Sequence, residues 1–171
     1  MDGLLLSRPR ELDVGGLTRQ QLRDALKQAE VQLNEAADTL LANADFDHQQ
    51  HDHFMVVEHT VQQLGLEHGA TSAVIFSTAS ELGLALCPAI TGPYLRLAAL
   101  DQESAPDSVM SNGSAPSASV TVASAPLVAD DEYPKGFYLR AVNGAQWLRG
   151  YWSGDDHVWS PGDRFAFRQR A

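Results

Sequence analysis

The chain of 171 residues is 44% apolar and is long enough to bury the core of one domain. It contains one cysteine, Cys87, which excludes an intrachain disulfide. No apolar run reaches the roughly 7–15 residues of a secretion signal or the roughly 20 of a membrane-spanning helix, so we expect a cytoplasmic protein with no membrane partner. A net charge of −10 disfavours nucleic acid as a partner, because phosphates would be repelled.

Two short helices are predicted in the N-terminal part of the chain. Thr18 and Gln21 have the spacing of a capping box, and apolar residues follow at helical spacing as far as Ala29. Asn34 is a suitable N-cap for a second helix. A helix-turn-helix interpretation is disfavoured, because the second helix carries two acidic residues and no basic residue that could meet DNA phosphates. We therefore predict a helical hairpin that forms a small appendage of residues 1–46.

The run DHQQHDHF at residues 47–54 holds three of the six histidines and raises the question of a metal site. Zinc takes about four ligands in a tetrahedral arrangement. On a helix His53 would point away from His48, and on a strand His48 would not join His51 and His53. No CxxC or HExxH spacing completes a site. We therefore interpret the run as a solvated polar connection and predict neither a metal nor a cofactor.

Residues 47–171 are predicted to form an α+β domain. A strand is expected over residues 54–60, and a helix from Thr71 to Gly83, a residue type that often follows a helix C-terminus. The run LALCPAITGPYLRLAAL indicates two short strands hinged at Gly-Pro, and SVTVAS alternates as a strand does. Residues 101–118 are rich in Ser, Ala and Pro without periodicity, which predicts a mobile loop. The fold class that follows is a mostly antiparallel sheet of about five to seven strands packed on one main helix.

The run GFYLRAVNGAQWLRGYW gives the strongest structural signal in the chain. Asn143-Gly144 suits a type I′ turn, because both residues tolerate a positive φ angle, and the runs on both sides alternate. A two-residue turn fixes the strand register, so the side chains separate onto two faces. One face is apolar and is predicted to face the core: Phe137, Leu139, Leu148 and Trp152. The other face combines arginines with aromatic residues: Tyr138, Arg140, Trp147, Arg149 and Tyr151.

The C-terminal part of the chain is basic, whereas the rest is acidic. From residue 133 onward the formal charge is +3, which leaves −13 for the preceding 132 residues, and nine of the thirteen aromatic residues lie in this part. In PYLRL, Tyr94 and Arg96 repeat the combination of an aromatic residue with an arginine on another predicted strand. We therefore predict a non-enzymatic binding or interaction module, in which an Arg/aromatic sheet face meets an acidic or planar ligand, a protein partner or a second copy of the chain. The candidate residues are Tyr94, Arg96, Tyr138, Arg140, Trp147, Arg149, Asp156 and His157.

The alternative is a small enzyme of unknown chemistry with a pocket near Arg96, Arg140, Asp156 and His157. The last two could exchange protons with a substrate, although turn residues between two strands have the same composition. Cys87 is poorly suited to be a nucleophile, since cysteine in an apolar run is usually inert. The chain has no GxSxG motif and no glycine-rich nucleotide loop. The sequence thus leaves enzymatic activity open and favours a binding module.

Much of the chain resembles a family of uncharacterised bacterial proteins. The motifs that carry the resemblance are ELGLALCP, GPYLRL, YPKGFYLRAVNG, WLRGY and DDHVWSPGDRFAF, together with VQLNEAADTL near the N-terminus. They cover most of residues 17–167 apart from the segment 101–118. The resemblance implies no activity. Some members carry an automatic helicase label, which this sequence contradicts, because it lacks the GxxxxGK[ST] phosphate loop and is too short for two motor domains.

If residues 47–54 are only a polar connection, replacing His48, His51 and His53 together with Gln will change the melting temperature by no more than about 2 °C, with or without EDTA. Thermal melts of the wild type and the triple variant measure this. A large drop on adding EDTA to the wild type alone would show that the run binds a metal.

Overall fold

The computed structural model describes residues 6, 8–47, 50–104 and 118–170, and within these ranges its helices and strands confirm the α+β class. The helices are α1 (Arg19–Gln28), α2 (Glu35–Leu41), α3 (Ser72–Glu81) and α4 (Thr91–Ala98), with short 3-10 helices at Ala44–Asp47 and Gln62–Leu64. The strands are β1 (Arg10–Val14), β2 (Gln32–Leu33), β3 (Asp52–Thr60), β4 (Ala70–Thr71), β5 (Leu84–Ala85), β6 (Val120–Val122), β7 (Gly136–Val142), β8 (Ala145–Tyr151), β9 (Val158–Trp159) and β10 (Arg164–Gln169). None of the helices in the described ranges combines the length and the apolar character that crossing a bilayer requires.

Most of these strands belong to one mixed sheet, in the order β1-β3-β10-β6-β7-β8-β2, with β5 beside β10. The pairs β6–β10 and β2–β8 are parallel, and the other pairs of this sheet are antiparallel. Strands β4 and β9 form a separate two-stranded sheet. The mostly antiparallel sheet on one main helix that we predicted is thus not confirmed, since parallel pairs occur and several helices pack on the sheet. Parallel partners are joined by long connections, so no local turn signal in the sequence reveals them.

Both faces of the large sheet are covered. On the first face, helices α1, α2 and α4 bury apolar residues against β7 and β8: Leu22, Leu26, Leu40, Leu95, Phe137, Leu139 and Leu148. On the second face, α3 and β9 cover β3 and β10: Val57, Ile75, Ala79, Trp159, Phe165 and Phe167. Alternation along each strand divides the side chains between these faces. The position of a residue on the first or second face therefore decides which site it can join.

The two predicted N-terminal helices are present and capped as expected. Thr18 and Gln21 form the capping box of α1. Asn34 caps α2, because its Oδ1 accepts a hydrogen bond from the backbone N of Ala37 at 2.8 Å. The same Oδ1 accepts from the Gly150 N at 2.9 Å, while Nδ2 donates to the Gly150 O at 3.1 Å. One side chain thus caps a helix and pairs with the backbone of β8.

The N-terminal segment, which we predicted to be a small helical appendage of residues 1–46, also contributes two strands to the large sheet. Strand β1 pairs with β3, and β2 pairs with β8 in the same large sheet. A Cβ atom on Gly150 would lie 2.7 Å from the backbone carbon of Ala36, so glycine at this position allows α2 to pack directly against β8. The strands that join this segment to the sheet are short, and β2 has only two residues. Such short strands give no periodic signal in the sequence.

The segment PYLRL is helical, so the second of the two strands predicted around Gly-Pro was wrong, while the first is present as the short strand β5. Gly92 and Pro93 lie in the first turn of α4, where backbone N–H groups have no acceptor within the helix and proline is well tolerated. A Cβ atom on Gly92 would lie 2.5 Å from the ring of Phe137, so glycine here allows α4 to approach β7 closely. The Gly-Pro pair therefore marks the start of a helix.

Trp152 does not join the core face of the hairpin as predicted. It is 51% exposed, and its indole Nε1 donates a hydrogen bond to the backbone O of Glu132 at 3.2 Å. Strand β8 ends at Tyr151, so the alternation of side chains does not continue to the next residue.

Replacing Asn34 with Ala is expected to lower the free energy of unfolding by about 2–3 kcal/mol, because it removes a helix cap and leaves buried backbone groups of Gly150 without partners. Asn34→Asp keeps both accepted hydrogen bonds but places a carboxylate oxygen against the Gly150 O, so it is expected to retain only part of the stability that Asn34→Ala loses. Urea denaturation of the three proteins measures this. Equal stability of Asn34→Ala and the wild type would contradict the assigned double role.

Candidate binding surface

The β7–β8 hairpin forms in the predicted register. Arg140 pairs with Trp147 and Tyr138 pairs with Arg149, around a turn at Asn143-Gly144 in which both residues have a positive φ angle. The leucines adjacent to these residues belong to the apolar cluster of the first face. Alternation therefore places the arginines and aromatic residues of the hairpin together on the second face. This part of the predicted arrangement is confirmed.

Only part of the Arg/aromatic face is accessible. Tyr138, Trp147 and Arg149 are half-buried, whereas Arg140 is only 1% exposed. A partner in solution would meet the first three residues and would not reach the guanidinium of Arg140. We call the accessible part, which consists of Tyr138, Trp147 and Arg149, the Trp147 surface.

Arg96 points away from this surface, so its predicted place on the Arg/aromatic face was wrong. It lies on α4, which covers the first face, and its side chain is fully buried. Its Nη2 donates to the side-chain Oε1 of Gln146 at 2.6 Å and to the backbone O of Ala99, and its Nη1 donates to the backbone O of Trp147 at 3.1 Å. Residues two apart on a helix point in different directions. Tyr94 accordingly points elsewhere, and its hydroxyl accepts from a backbone N–H of the segment before α1 at 3.2 Å.

Two glutamines complete the hydrogen-bonding network around Arg96. Gln102 Oε1 accepts from Arg96 Nη1 at 2.7 Å, and its Nε2 donates to the backbone O of Ala118 and of Leu139 at 3.1 and 3.3 Å. Gln146 Nε2 donates to the backbone O of Gln102 at 2.9 Å. Gln102 is buried, so the start of the predicted mobile loop 101–118 is fixed in the structure. The remainder of that prediction, at residues 105–117, lies outside the described residues.

The charge of Arg96 is held by neutral oxygens. Of the acidic residues in the described ranges, none accepts a hydrogen bond from its guanidinium. Burial lowers the pKa of Arg96 to about 10, and the charge of Asp101 opposes this shift. The group is still charged at neutral pH, although burial makes this charge less favourable than it would be in water. Hydrogen bonds from a charged donor are about twice as strong as neutral ones, and they offset this cost.

Arg149 is the cation of the Trp147 surface. Its guanidinium carbon lies 4.2 Å from the centroid of the Trp147 ring. Its Nε is buried without a hydrogen-bond partner, and no residue in the described part of the chain forms an ion pair with it. Arg168 provides the contrast, because it stacks on Phe54 at 4.6 Å and also donates to Asp52 at 2.8 Å. The two Nη groups of Arg149, which donate to no described residue, therefore remain as hydrogen-bond donors for a partner.

The four residues of the enzymatic alternative do not form one pocket. His157 packs edge-on against Trp159, at 5.0 Å between ring centroids, and Trp159 belongs to the second face. Asp156 next to it is exposed. Arg96 lies on the first face, so the sheet separates it from these two residues, and Arg140 is buried. The geometry gives no site at which the four side chains could act on one substrate.

The other candidate residues for chemistry have ordinary structural surroundings. Cys87 is buried, and burial raises the pKa of its thiol to about 12, so the reactive thiolate is scarce at neutral pH. His53 is exposed, and its Nδ1 lies 2.6 Å from Oδ1 of Asp13, a hydrogen bond that raises the pKa of His53. His48 lies outside the described residues. Among those described, no three potential ligands are grouped around a possible metal position, and the prediction for the histidine run as a whole stays a prediction.

Sequence reasoning missed the two glutamines of the network. Gln146 carries a signal, because alternation in the hairpin places it beside Leu148 on the first face, where a polar side chain needs a hydrogen-bond partner. Gln102 carries none, because it stands in a Ser/Pro-rich run that has the composition of a loop.

Comparisons with known proteins add no candidate function. No family model matches the chain, and no curated protein or solved structure matches it either. Membership of a family of uncharacterised bacterial proteins therefore stays a prediction.

Arg96→Ala is expected to lower the free energy of unfolding by about 3–5 kcal/mol, because it removes the donor to the buried Gln102, to the half-buried Gln146 and to two backbone carbonyls. Arg96→Lys should lose less, since one ammonium group keeps the charge but cannot span all four acceptors. Arg23→Ala serves as the control, because its ion pair with Asp38 is at the surface and is worth at most about 1 kcal/mol. If urea denaturation gives Arg96→Ala and Arg23→Ala the same stability, the network contributes little.

Proposed function

We propose that the protein is a non-enzymatic binding module, which holds an acidic or planar group of its partner against the Trp147 surface. The observation that carries the proposal is the guanidinium of Arg149, which rests on the ring of Trp147 and has no acidic partner among the residues that the structure describes. In a chain with a net charge of −10, an arginine without a carboxylate partner at a partly buried position is unusual. It is suited to receive a carboxylate or phosphate from outside.

The chemistry of the surface supports this class of partner. A guanidinium can bind a carboxylate or phosphate through two parallel hydrogen bonds. The indole ring beneath it offers a flat apolar area for a planar group, and a cation–π contact of this kind is worth about 0.5–1 kcal/mol at an exposed site. Tyr138 lies opposite Arg149 on the paired strand and adds a second aromatic ring. The three side chains stand on paired strands, which hold them more rigidly than a loop would.

A second copy of the chain is one partner with suitable chemistry. The residues before residue 133 carry a charge of −13, so an acidic part of one copy could meet the Trp147 surface of another. A sizing column run over a range of protein concentrations tests this form of the proposal. A dimer that Arg149→Ala dissociates would identify the partner as the chain itself.

Binding of small probes tests the proposal directly. Poly-glutamate presents carboxylates, and adenosine monophosphate presents a phosphate together with a planar ring. We expect both to bind the wild type in a calorimetric titration, and Arg149→Ala to raise the Kd at least about tenfold, because the forked donor is lost. Arg170→Ala is the matched control, since Arg170 is an exposed arginine that donates to Ser80 on α3. Its Kd should equal that of the wild type.

Two results would contradict the proposal. The first is binding that Arg149→Ala and Arg170→Ala weaken equally, which would indicate an unspecific attraction to positive charge. The second is a loss of more than about 1 kcal/mol of stability in Arg149→Ala without any probe binding to the wild type. That result would assign Arg149 to the stability of the hairpin.

A further inference from the structure

A cleft of about 170 Å³ opens between the N-terminus of α3, the start of β7 and the end of β8. Its polar lining consists of hydroxyl groups, one ammonium group and one carboxylate: Ser72, Ser124, Ser153, Tyr151, Lys135 and Asp155. The apolar part of the wall comes from Phe76 and Pro126. None of these residues belongs to the Trp147 surface, so the cleft is a separate site.

Two hydroxyl groups of the cleft have no hydrogen-bond partner in the described ranges of the chain. Ser124 is only 5% exposed and lines the cleft, and its hydroxyl forms no hydrogen bond to a described residue. The phenol hydroxyl of Tyr151 likewise forms no hydrogen bond to a described residue. Burial raises the pKa of Tyr151, so the hydroxyl keeps its proton and can donate. Neither hydroxyl oxygen is fully enclosed by protein, so each can exchange hydrogen bonds with the contents of the cleft. Both groups are therefore available to a bound molecule.

A third hydroxyl group is held so that it can donate into the cleft. The indole Nε1 of Trp159 donates to Ser72 Oγ at 2.9 Å, which leaves the hydroxyl proton of Ser72 for another acceptor. Ser72 is also the first residue of α3, directly after its N-cap Thr71. The positive end of the helix dipole therefore lies at the cleft and favours negative charge.

Lys135 supplies a full positive charge to the same cleft. Its side chain is 12% exposed, and its Nζ lies 3.3 Å from Oδ1 of Asp131, whose side chain is 87% exposed. An ion pair with such an exposed partner holds the ammonium group only weakly, because water screens the attraction. An anion in the cleft would compete effectively for this ammonium group, because it would also receive the hydroxyl donors.

We propose that this cleft binds a small anion, a carboxylate or phosphate group, through Lys135 and the hydroxyl groups of Ser72, Ser124 and Tyr151. Gly136 lies beside two of these hydroxyl groups. A Cβ atom on this residue would lie 3.4 Å from Ser124 Oγ and 3.6 Å from the hydroxyl oxygen of Tyr151, so a methyl group would occupy the region that both hydroxyls border. Asp155 lines the same cleft and opposes the anion, which limits the affinity.

The test is an NMR titration of ¹⁵N-labelled protein with sodium phosphate and, separately, with sodium acetate, both at constant ionic strength. The reporters are the backbone amides of Ser72 and Lys135 and the indole N–H of Trp159. We expect saturable shifts at these positions with at least one of the two anions, and the anion that saturates identifies the class. Tyr151→Phe and Lys135→Ala should each raise the Kd at least about tenfold.

Three further variants make the test specific. Gly136→Ala keeps every polar group and fills the space between two of them, so it should also raise the Kd; it remains informative if Lys135→Ala does not fold. Asp155→Asn should lower the Kd, since it removes a like charge. Lys27→Ala is the control, because Lys27 is exposed on α1 and its loss should leave the Kd unchanged.

Shifts that do not saturate with either anion would overturn the proposal. So would a Kd that is the same in the wild type, Tyr151→Phe and Gly136→Ala. A Kd that rises in Arg149→Ala and not in Lys135→Ala would assign the anion to the Trp147 surface, and would also overturn it.

Discussion

Burying the guanidinium of Arg96 forces distant parts of the chain to meet, because a cation removed from water needs oxygen acceptors around it. The acceptors come from the end of α4, from Gln102 in the segment that follows it, and from two residues of β8. One of the β8 acceptors is the backbone O of Trp147, whose ring carries Arg149 on the opposite face. The buried network and the accessible surface therefore share a residue. The backbone of Trp147 is thus held by Arg96 as well as by its pairing with β7 and β2.

The arginines of this chain show that residue type alone does not determine a role. Arg96 is buried among neutral oxygens. Arg168 stacks on the ring of Phe54 and also donates a hydrogen bond to the carboxylate of Asp52. Arg149 has the ring and no carboxylate within the described part of the chain. In the first two cases terminal nitrogens of the guanidinium donate to acceptors within the chain, and these hydrogen bonds stabilise the fold. In the third case it has donors to offer, and this difference in surroundings distinguishes a candidate binding residue from a structural one.

Local sequence signals correctly predicted the turn and the helix starts, which depend on neighbouring residues. They could not predict features that depend on contacts between distant parts of the chain. The turn at Asn143-Gly144 fixed the hairpin register, and Thr18 and Asn34 marked helix starts, because each depends on neighbouring residues only. The helix at PYLRL was missed, because alternation over a few residues is ambiguous when glycine and proline precede it. The exposure of the Arg/aromatic face depends on what packs over each residue, which no pattern within the hairpin contains. The anion cleft is assembled from four separate segments, and none of them carries a motif.

Strand β10 lies in the interior of the sheet, between β3 and β6, although it follows both of them by long stretches of sequence. During translation, β3 and β6 are therefore synthesised well before the strand that joins them. Until β10 emerges from the ribosome, the two parts of the sheet have open edges, which are sites for aggregation. The hairpin and the helices can form early, since their contacts are local. The complete sheet can form only after β10 has been synthesised. The edges of β3 and β6 are therefore covered only late in synthesis.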